Sequence, residues 1–291
     1  MDSLATALNE ITLVLFTTLA PAGAVAYVLM ALPLIARGDA MEPTARQKLD
    51  RFLCVPIFVA MIGLIASATH LGTPSNALYV VTGFGRSPLS NEVVCGAVFL
   101  GAAGIFWLTA FSEGIAHLTA RRIAAAVISL LGLGFVAAIS LAYDASTIIT
   151  WNTPYTPITT WLNALTGGPL LALLGLRLAR FYTPGHALGR AFIIIAIVAL
   201  MASIVAYVLW AFLLPELGNA LATGAEQAPL FGPSIVLFAL LGASAIAFGA
   251  KTITWEGEAP IRFPLAATLL MLAGIFLMRF QFYMIHLTVG L

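Results

Sequence analysis

The stretch RAFIIIAIVALMASIVAYVLWAFLL, residues 190–214, decides the class of fold. After Arg190 it holds no charged residue through to Leu214. An α-helix needs about 20 apolar residues to cross the hydrocarbon core of a bilayer. The whole sequence repeats this character, since 61% of its residues are hydrophobic and only 9% are charged, whereas soluble domains carry about 25% charged residues. The sequence therefore predicts an integral membrane protein.

Eight such apolar blocks account for nearly the whole length of the protein. The predicted fold is an all-α membrane protein with eight transmembrane helices, and residues 1–291 are expected to form a single helical bundle without a soluble domain. The predicted helices cover 9–36, 52–70, 92–112, 122–143, 158–179, 190–214, 229–250 and 263–288.

The basic residues indicate how this bundle is oriented. Eleven of the thirteen Lys and Arg residues lie in or beside the odd-numbered connections between blocks, whereas the even-numbered ones hold only Arg86 and the last block holds Arg279. Short loops rich in Lys and Arg remain on the cytoplasmic side during insertion. Both termini and the even-numbered loops are therefore predicted to lie outside. The first block has no preceding Lys or Arg, so it does not resemble a cleavable signal peptide.

Several classes of function are disfavoured by composition. The net charge is +1 and no basic run suits nucleic acid, so a nucleic-acid partner is not expected. Cys54 and Cys95 are the two cysteines, too few for an iron–sulfur cluster with four thiolate ligands. They are predicted at different depths, as buried thiols rather than a disulfide. The protein is expected to hold no metal cluster of its own.

Other apolar-block residues are interpreted structurally. Trp151, Tyr155 and Trp161 fall where an aromatic belt is expected at the outer interface. Gly101 and Gly104 have the spacing of a close helix–helix contact.

The loop from His70 to Glu92 holds the first group of candidate site residues. A helix from Arg51 to His70 rises about 28 Å, so His70 is predicted at the outer membrane interface. Ser90 or Asn91 could cap the third long helix, and Glu92 would then begin it at the same depth. A histidine and a carboxylate at one depth suit proton transfer, although each could also be an ordinary interfacial side chain.

The last apolar block supplies the second group. Arg279, Tyr283 and His286 are spaced i, i+4 and i+7, which places them on one stripe of a helix. An arginine at that depth costs about 3 kcal/mol on insertion scales, so it should face the bundle and have a partner. An ion pair with Glu92, Asp144 or Glu10 would make Arg279 structural. Glu10 and Asp144 are otherwise interpreted as solvated residues at helix ends.

These residue types fit the oxidation of a lipid quinol. A quinol releases two protons with its two electrons, so its site needs groups that accept protons near neutral pH. Histidine, with an ordinary pKa near 6.5, and a partly buried glutamate are suited to that task. The electrons must then pass to a partner, because this protein has no evident redox centre.

Five stretches resemble the membrane-anchor subunits of anaerobic dimethyl sulfoxide reductase-type complexes. They occur in the family's order over nearly the whole sequence, and they are 10–17 (EITLVLFT), 70–74 (HLGTP), 89–92 (LSNE), 167–171 (GGPLL) and 279–290 (RFQFYMIHLTVG). Arg86 and the short third connection, with its single pair of arginines, have no obvious counterpart in the family.

The resemblance implies an eight-helix subunit without haem in the inner membrane of a prokaryote, with both termini in the periplasm. Such a subunit binds and oxidises menaquinol. It holds an iron–sulfur subunit with four clusters and a molybdopterin catalytic subunit at the outer face. The family's quinol-site histidine and glutamate correspond to His70 and Glu92. If quinol oxidation and acceptor reduction both occur outside, the step is predicted to be electroneutral, and proton release into native-orientation vesicles would contradict that hypothesis.

Three alternative functions remain open from the residues alone. In a cytochrome b-type subunit, His70 and His286 would be the two axial ligands of one haem. A secondary transporter would place ionisable groups near the bilayer midplane, where this sequence has almost none. A purely structural anchor would bind partners while the quinol is oxidised elsewhere.

Overall fold

The computed structural model describes residues 3–37, 40–70, 79–111, 118–181 and 186–289. Within these ranges eight helices are long and apolar enough to cross a membrane, with mean hydropathies from 1.2 to 2.9. The predicted eight-helix fold is therefore confirmed. The α-helices are α1 (Ser3–Asn9), α2 (Ile11–Arg37), α3 (Pro43–Phe52), α4 (Cys54–Thr69), α5 (Tyr79–Thr82), α6 (Pro88–Leu108), α7 (Leu118–Ala142), α8 (Tyr155–Leu178), α9 (Ala187–Leu213), α10 (Gly224–Gln227), α11 (Phe231–Thr254) and α12 (Arg262–Met284).

The start of α6 differs from the prediction. Ser87 is its N-cap, and the Ser87 side chain accepts a hydrogen bond from the Ser90 backbone amide at 3.4 Å. Pro88 follows at the first helical position, where its missing N–H costs nothing. The predicted cap at Ser90 or Asn91 is thus wrong, and Glu92 lies one turn inside the helix.

The end of α12 also differs. The helix ends at Met284, so His286 follows it instead of continuing the Arg279–Tyr283 stripe. The backbone amides of Ile149 and Val289 donate to the carbonyls of Leu287 and Thr147, both at 2.9 Å. These bonds tie the connection between α7 and α8 to the residues after α12, and so they place both segments at one end of the bundle.

Helices α2 and α8 form the centre of the bundle, since most of their side chains are buried. Glycine allows α2 to approach α4 closely. A Cβ at Gly23 would lie 2.6 Å from the Ala60 backbone nitrogen, and one at Gly63 would lie 2.9 Å from that of Ala20. By contrast, Gly101 and Gly104 have no atoms within 4 Å of such a Cβ, so the predicted packing role of that pair is wrong.

Two ends of the bundle are distinguished below. The terminal end holds α1, His70, Ser87, the 143–154 connection and residues 285–289. The opposite, basic end holds the arginines and lysines of the odd-numbered connections. There Arg121 Nη2 lies 2.9 Å from Asp50 Oδ2, and Arg177 Nη1 lies 2.7 Å from Glu258 Oε1. These contacts join connection three to connection one and connection five to connection seven. Which end faces outward remains a prediction from the charge pattern.

Candidate functional site

A cavity of about 570 Å³ opens at the terminal end of the bundle. Its walls come from α1, α2, α4, α6, the 143–154 connection and the end of α12. Most of the lining is apolar, including Leu64, Leu89 and Val93. The larger polar or aromatic side chains that face it are Glu10, His70, Tyr143, Trp151, Tyr283 and His286. A mostly apolar cavity with a few convergent polar groups is typical of a small-molecule site.

Three of the predicted site residues line this cavity. His70 follows α4 as its C-cap residue and is 41% exposed at its side chain. Tyr283 lies in the last turn of α12, and His286 follows the helix. The sequence thus identifies side chains from two distant segments that the fold brings to one cavity. Residues 71–74, the rest of the motif that begins at His70, lie outside the described residues.

Glu92 lies behind the cavity wall. Its neighbours Leu89 and Val93 line the cavity, whereas Glu92 is not part of the lining and is 0% exposed. Neither of its carboxylate oxygens has a hydrogen-bond partner among the described residues. A buried carboxylate without partners is costly, and no hydrogen bond to the described residues offsets the burial of Glu92.

Arg279 is the second buried charge at this depth. It is 1% exposed, and its Nε donates a hydrogen bond to Thr17 Oγ1 at 3.0 Å. The guanidinium carbon lies 4.0 Å from the centre of the Phe282 ring, which is close enough for a cation–π contact. Among the described residues no carboxylate lies within 4.0 Å of Arg279, so the ion pair that would make Arg279 structural is not formed. Its charge nevertheless acts electrostatically on Glu92.

An aromatic cluster positions the end of α12 beside the cavity. Trp151 stacks on Phe282, with ring centres 4.4 Å apart, and its Nε1 donates to the Phe282 carbonyl at 2.9 Å. The ring of His286 meets the Trp151 ring at 5.0 Å in an edge-on contact. Trp151 is buried, so its predicted position in an interfacial belt is wrong. It is instead part of the site.

The surroundings of His286 affect the pKa of its imidazole. Burial lowers its pKa from the ordinary value of 6.5, and the negative charge of Glu10 partly opposes that effect. The imidazole is therefore neutral at neutral pH and has a nitrogen free to accept a proton.

Glu10 is the main site residue that the sequence does not single out. It lies between α1 and α2, and its Oε2 is 3.2 Å from His70 Nε2. Its position at the start of the predicted helix 9–36 indicates a solvated helix end or an ion pair with Arg279, and not a contact with His70. The signal that could have found it is depth, because Glu10 and His70 both fall at the same end of their helices.

The described residues contain no group of three or more His, Cys, Asp or Glu side chains that could hold a metal ion. Cys54 and Cys95 are free thiols, each partly exposed rather than fully buried.

The fold and the cavity define a multi-pass membrane protein whose polar groups converge on a cavity at one end. Comparison with known proteins gives the family. A family model described as DMSO reductase anchor subunit (DmsC) matches residues 4–285. The protein belongs to this family of membrane-anchor subunits, which confirms the resemblance noted in the sequence.

Relatives from two bacteria match over nearly their full length. The C subunit of anaerobic dimethyl sulfoxide reductase from Escherichia coli (strain K12) is 30% identical over 284 residues, which cover 97% of both sequences. The YnfH subunit of anaerobic dimethyl sulfoxide reductase from the same organism is 28% identical over 286 residues, again 97% of both sequences. The C subunit from Haemophilus influenzae is 28% identical over 290 residues and 98% of both sequences. Membership of this family implies a catalytic subunit and an iron–sulfur subunit as partners.

Proposed function

We propose that this anchor subunit binds a quinol in the terminal-end cavity, oxidises it, and passes the electrons to an iron–sulfur subunit of a molybdopterin reductase. The observation that carries the proposal is the convergence of His70, His286, Tyr283 and Glu10 on one largely apolar cavity. A quinol head fits a site in which apolar walls hold a ring and a few polar groups meet its hydroxyls. Menaquinol and a partner with four clusters follow from the family resemblance.

The walls of the cavity also suit a substrate that arrives from the lipid. Ile65 of α4 and Leu89 of α6 both line the cavity, and they are 55% and 51% exposed. In a membrane such exposed apolar side chains face lipid, so the cavity borders the lipid between α4 and α6. A quinol tail can then remain in the bilayer while its head enters the site.

Two buried ionisable side chains behind the cavity wall, those of Glu92 and Arg279, also suit quinol oxidation. Glu92 and Arg279 lie next to the side chains that would meet the quinol head, and Tyr283 is electrostatically coupled to both. A buried cation such as Arg279 near a reacting group stabilises negative charge that develops during proton and electron transfer. In this proposal Glu92 acts from behind the wall, and His70 and His286 meet the hydroxyls.

If the predicted orientation holds, the site lies at the periplasmic face of a prokaryotic inner membrane. The quinol protons would then be released on the side where the reductase consumes protons, and the overall step would translocate no charge.

The test compares two electron donors in the assembled complex that carries His70→Gln. Turnover with a short-chain naphthoquinol should fall by about 100-fold or more, since a proton acceptor at the reacting group contributes that much. Turnover with a reduced viologen dye, which delivers electrons directly to the soluble subunits, should stay unchanged. Full naphthoquinol turnover in the variant would contradict the site, whereas loss of both activities would indicate failed assembly and require the His70→Asn variant.

The same purified complex can be used to test the alternative that the protein is a cytochrome b-type subunit. His70 and His286 both line the cavity, so an absorbance spectrum with and without dithionite is needed. The proposed function predicts no haem bands, and a reduced haem b spectrum that disappears in His70→Gln would replace it.

A further inference from the structure

The fold places Glu10 at the junction of α1 and α2, beside the terminal-end cavity. It is the single residue between α1 and α2, and its backbone continues the hydrogen bonding of both helices. The Glu10 amide donates to the Thr6 carbonyl at 3.1 Å, and the Glu10 carbonyl accepts from the amides of Leu13 and Val14 at 2.9 and 3.0 Å. The backbone is thus fixed, and the side chain projects into the cavity.

The carboxylate of Glu10 lies in contact with one histidine and acts on the other. Its Oε2 is 3.2 Å from His70 Nε2, which is close enough for an ion pair with a protonated imidazole, and this oxygen is buried and makes no hydrogen bond to the described residues. The negative charge also acts on His286, which reaches the cavity from the end of α12. Glu10 is therefore electrostatically linked to both histidines, which come from helices far apart in sequence.

We propose that Glu10 is a positioning residue for quinol oxidation, which fixes the orientation and tautomer of His70 and stabilises the imidazolium form of His70 or His286 after proton transfer. This inference rests on the proposed function and adds a residue to that site. A carboxylate beside one imidazole nitrogen favours the tautomer with its N–H there, and so leaves the other nitrogen as the proton acceptor. In this proposal the N–H of His70 is on Nε2, on the side of Glu10, and Nδ1 accepts from the quinol.

The reaction balances with these groups. The quinol loses two electrons to the iron–sulfur partner and becomes the quinone, and both hydroxyl O–H bonds break. One proton passes to His70 Nδ1 and the second to His286. Both histidines then return their protons to water at the terminal end. The role of Glu10 is to favour the protonated histidine and not to accept the proton itself.

The first test replaces Glu10 in the assembled complex. Glu10→Gln keeps the size of the side chain and removes its charge, so naphthoquinol turnover should fall by about 10-fold or more. Binding of a short-chain naphthoquinone, followed by the quenching of its fluorescence or by equilibrium dialysis, should change less than about twofold, because tautomer and charge affect the reaction more than the binding of the oxidised ring. Glu10→Asp should recover part of the turnover. Glu216→Gln, an exposed carboxylate at the same end outside the cavity lining, is the matched control.

A double variant distinguishes this inference from the proposed function. If Glu10 acts through His70, then adding Glu10→Gln to His70→Gln should cause little further loss, so the two effects are not additive. Full activity in Glu10→Gln together with lost activity in His70→Gln would overturn the role of Glu10 and leave the site intact. Full activity in both single variants would overturn the proposed function. Equal losses in Glu10→Gln and Glu10→Asp, with weakened naphthoquinone binding, would show a merely structural role for the α1–α2 junction.

Discussion

The two ends of the bundle differ in whether a buried acidic side chain has a partner. At the basic end Asp50 is 1% exposed, and its Oδ2 pairs with Arg121 at 2.9 Å. At the terminal end Glu92 is 0% exposed, and neither of its oxygens has a partner among the described residues. Both acids are buried in an apolar bundle, yet only Asp50 is compensated by a direct contact. The difference indicates that Asp50 holds helices together, and it agrees with the proposal that Glu92 takes part in quinol oxidation.

Each end also has a cavity, and size does not distinguish them. The terminal-end cavity measures about 570 Å³ and a groove at the basic end about 650 Å³. The groove is lined by apolar residues such as Leu32, Phe181 and Leu188, with Arg37 as its charged member. Its described lining offers no carboxylate or imidazole that could accept a proton from a bound quinol. The chemistry of the described residues therefore favours the terminal end as the proposed site.

The largest effect expected from the comparison of the two ends concerns Glu92 and turnover. Glu92→Gln removes the ionisable carboxyl group beside Arg279 and keeps the shape of the side chain. Naphthoquinol turnover of the assembled complex should fall by about 10- to 100-fold, in line with the loss of a buried group that can exchange protons near the reacting groups. Dye-driven turnover serves as the internal control, and unchanged naphthoquinol turnover would remove Glu92 from the proposed mechanism.

Substitution of Asp50 should affect the stability of the protein more than substitution of Glu92. Asp50→Asn leaves the half-buried Arg121 without its counter-charge and should lower the free energy of unfolding by about 3 kcal/mol. Glu92→Gln should leave it unchanged within about 0.5 kcal/mol or raise it, since neither carboxyl oxygen has a hydrogen-bond partner to lose among the described residues. Thermal unfolding of both variants in the same detergent measures the difference. If both variants lower the free energy of unfolding equally, Asp50 and Glu92 have the same structural role.

A smaller effect is expected from Trp151. Trp151→Phe keeps an aromatic ring against Phe282 but removes the hydrogen bond from Nε1 to the Phe282 carbonyl. Loss of one such bond costs about 1 kcal/mol, which corresponds to a dissociation constant for naphthoquinone about fivefold higher if the wall of the cavity loosens. Trp107→Phe removes the comparable bond from Trp107 Nε1 to the Arg51 carbonyl, 2.7 Å long and at the basic end. That control variant should bind naphthoquinone with the wild-type constant.

The smallest effect is a pH dependence of stability from His286. Because its pKa in the folded protein is lowered from 6.5, the unfolded protein binds a proton first as the pH falls. The wild-type protein should therefore lose stability relative to His286→Gln as the pH decreases from about 7 to 5, and the difference should vanish above about pH 7.5. Denaturation midpoints of both proteins over this range check the sign. A wild-type advantage that grows toward low pH would mean that His286 gains a proton in the folded state.

The eight-helix fold and three of the site residues can be predicted from the sequence. Length and hydropathy determine a membrane helix almost alone, so the apolar blocks predict all eight helices. His70, Tyr283 and His286 are recognisable because ionisable or polar side chains are rare in such blocks and all three fall at one depth.

The remaining features depend on packing that no local pattern records. The i, i+7 spacing suggests that His286 continues the stripe of Arg279, but α12 ends two residues earlier. Glu10 and Trp151 have the sequence positions of ordinary interfacial residues, since only the arrangement of the helices brings them beside His70 and Phe282. For Arg279 the need for a buried position is predictable, whereas its partner, Thr17, lies 262 residues away in sequence.

The most direct test of the proposed site is to map where a quinone binds. A photoreactive naphthoquinone can be crosslinked to the assembled complex in native membranes, and the labelled residues can be identified by mass spectrometry. Labels are expected on residues of the terminal-end cavity, such as His70, Tyr283 and His286, and they should be lost in competition with unlabelled menaquinone. Competed labels confined to the basic-end groove, on Leu32, Phe181 or Leu188, would contradict the assignment of the site to the terminal end.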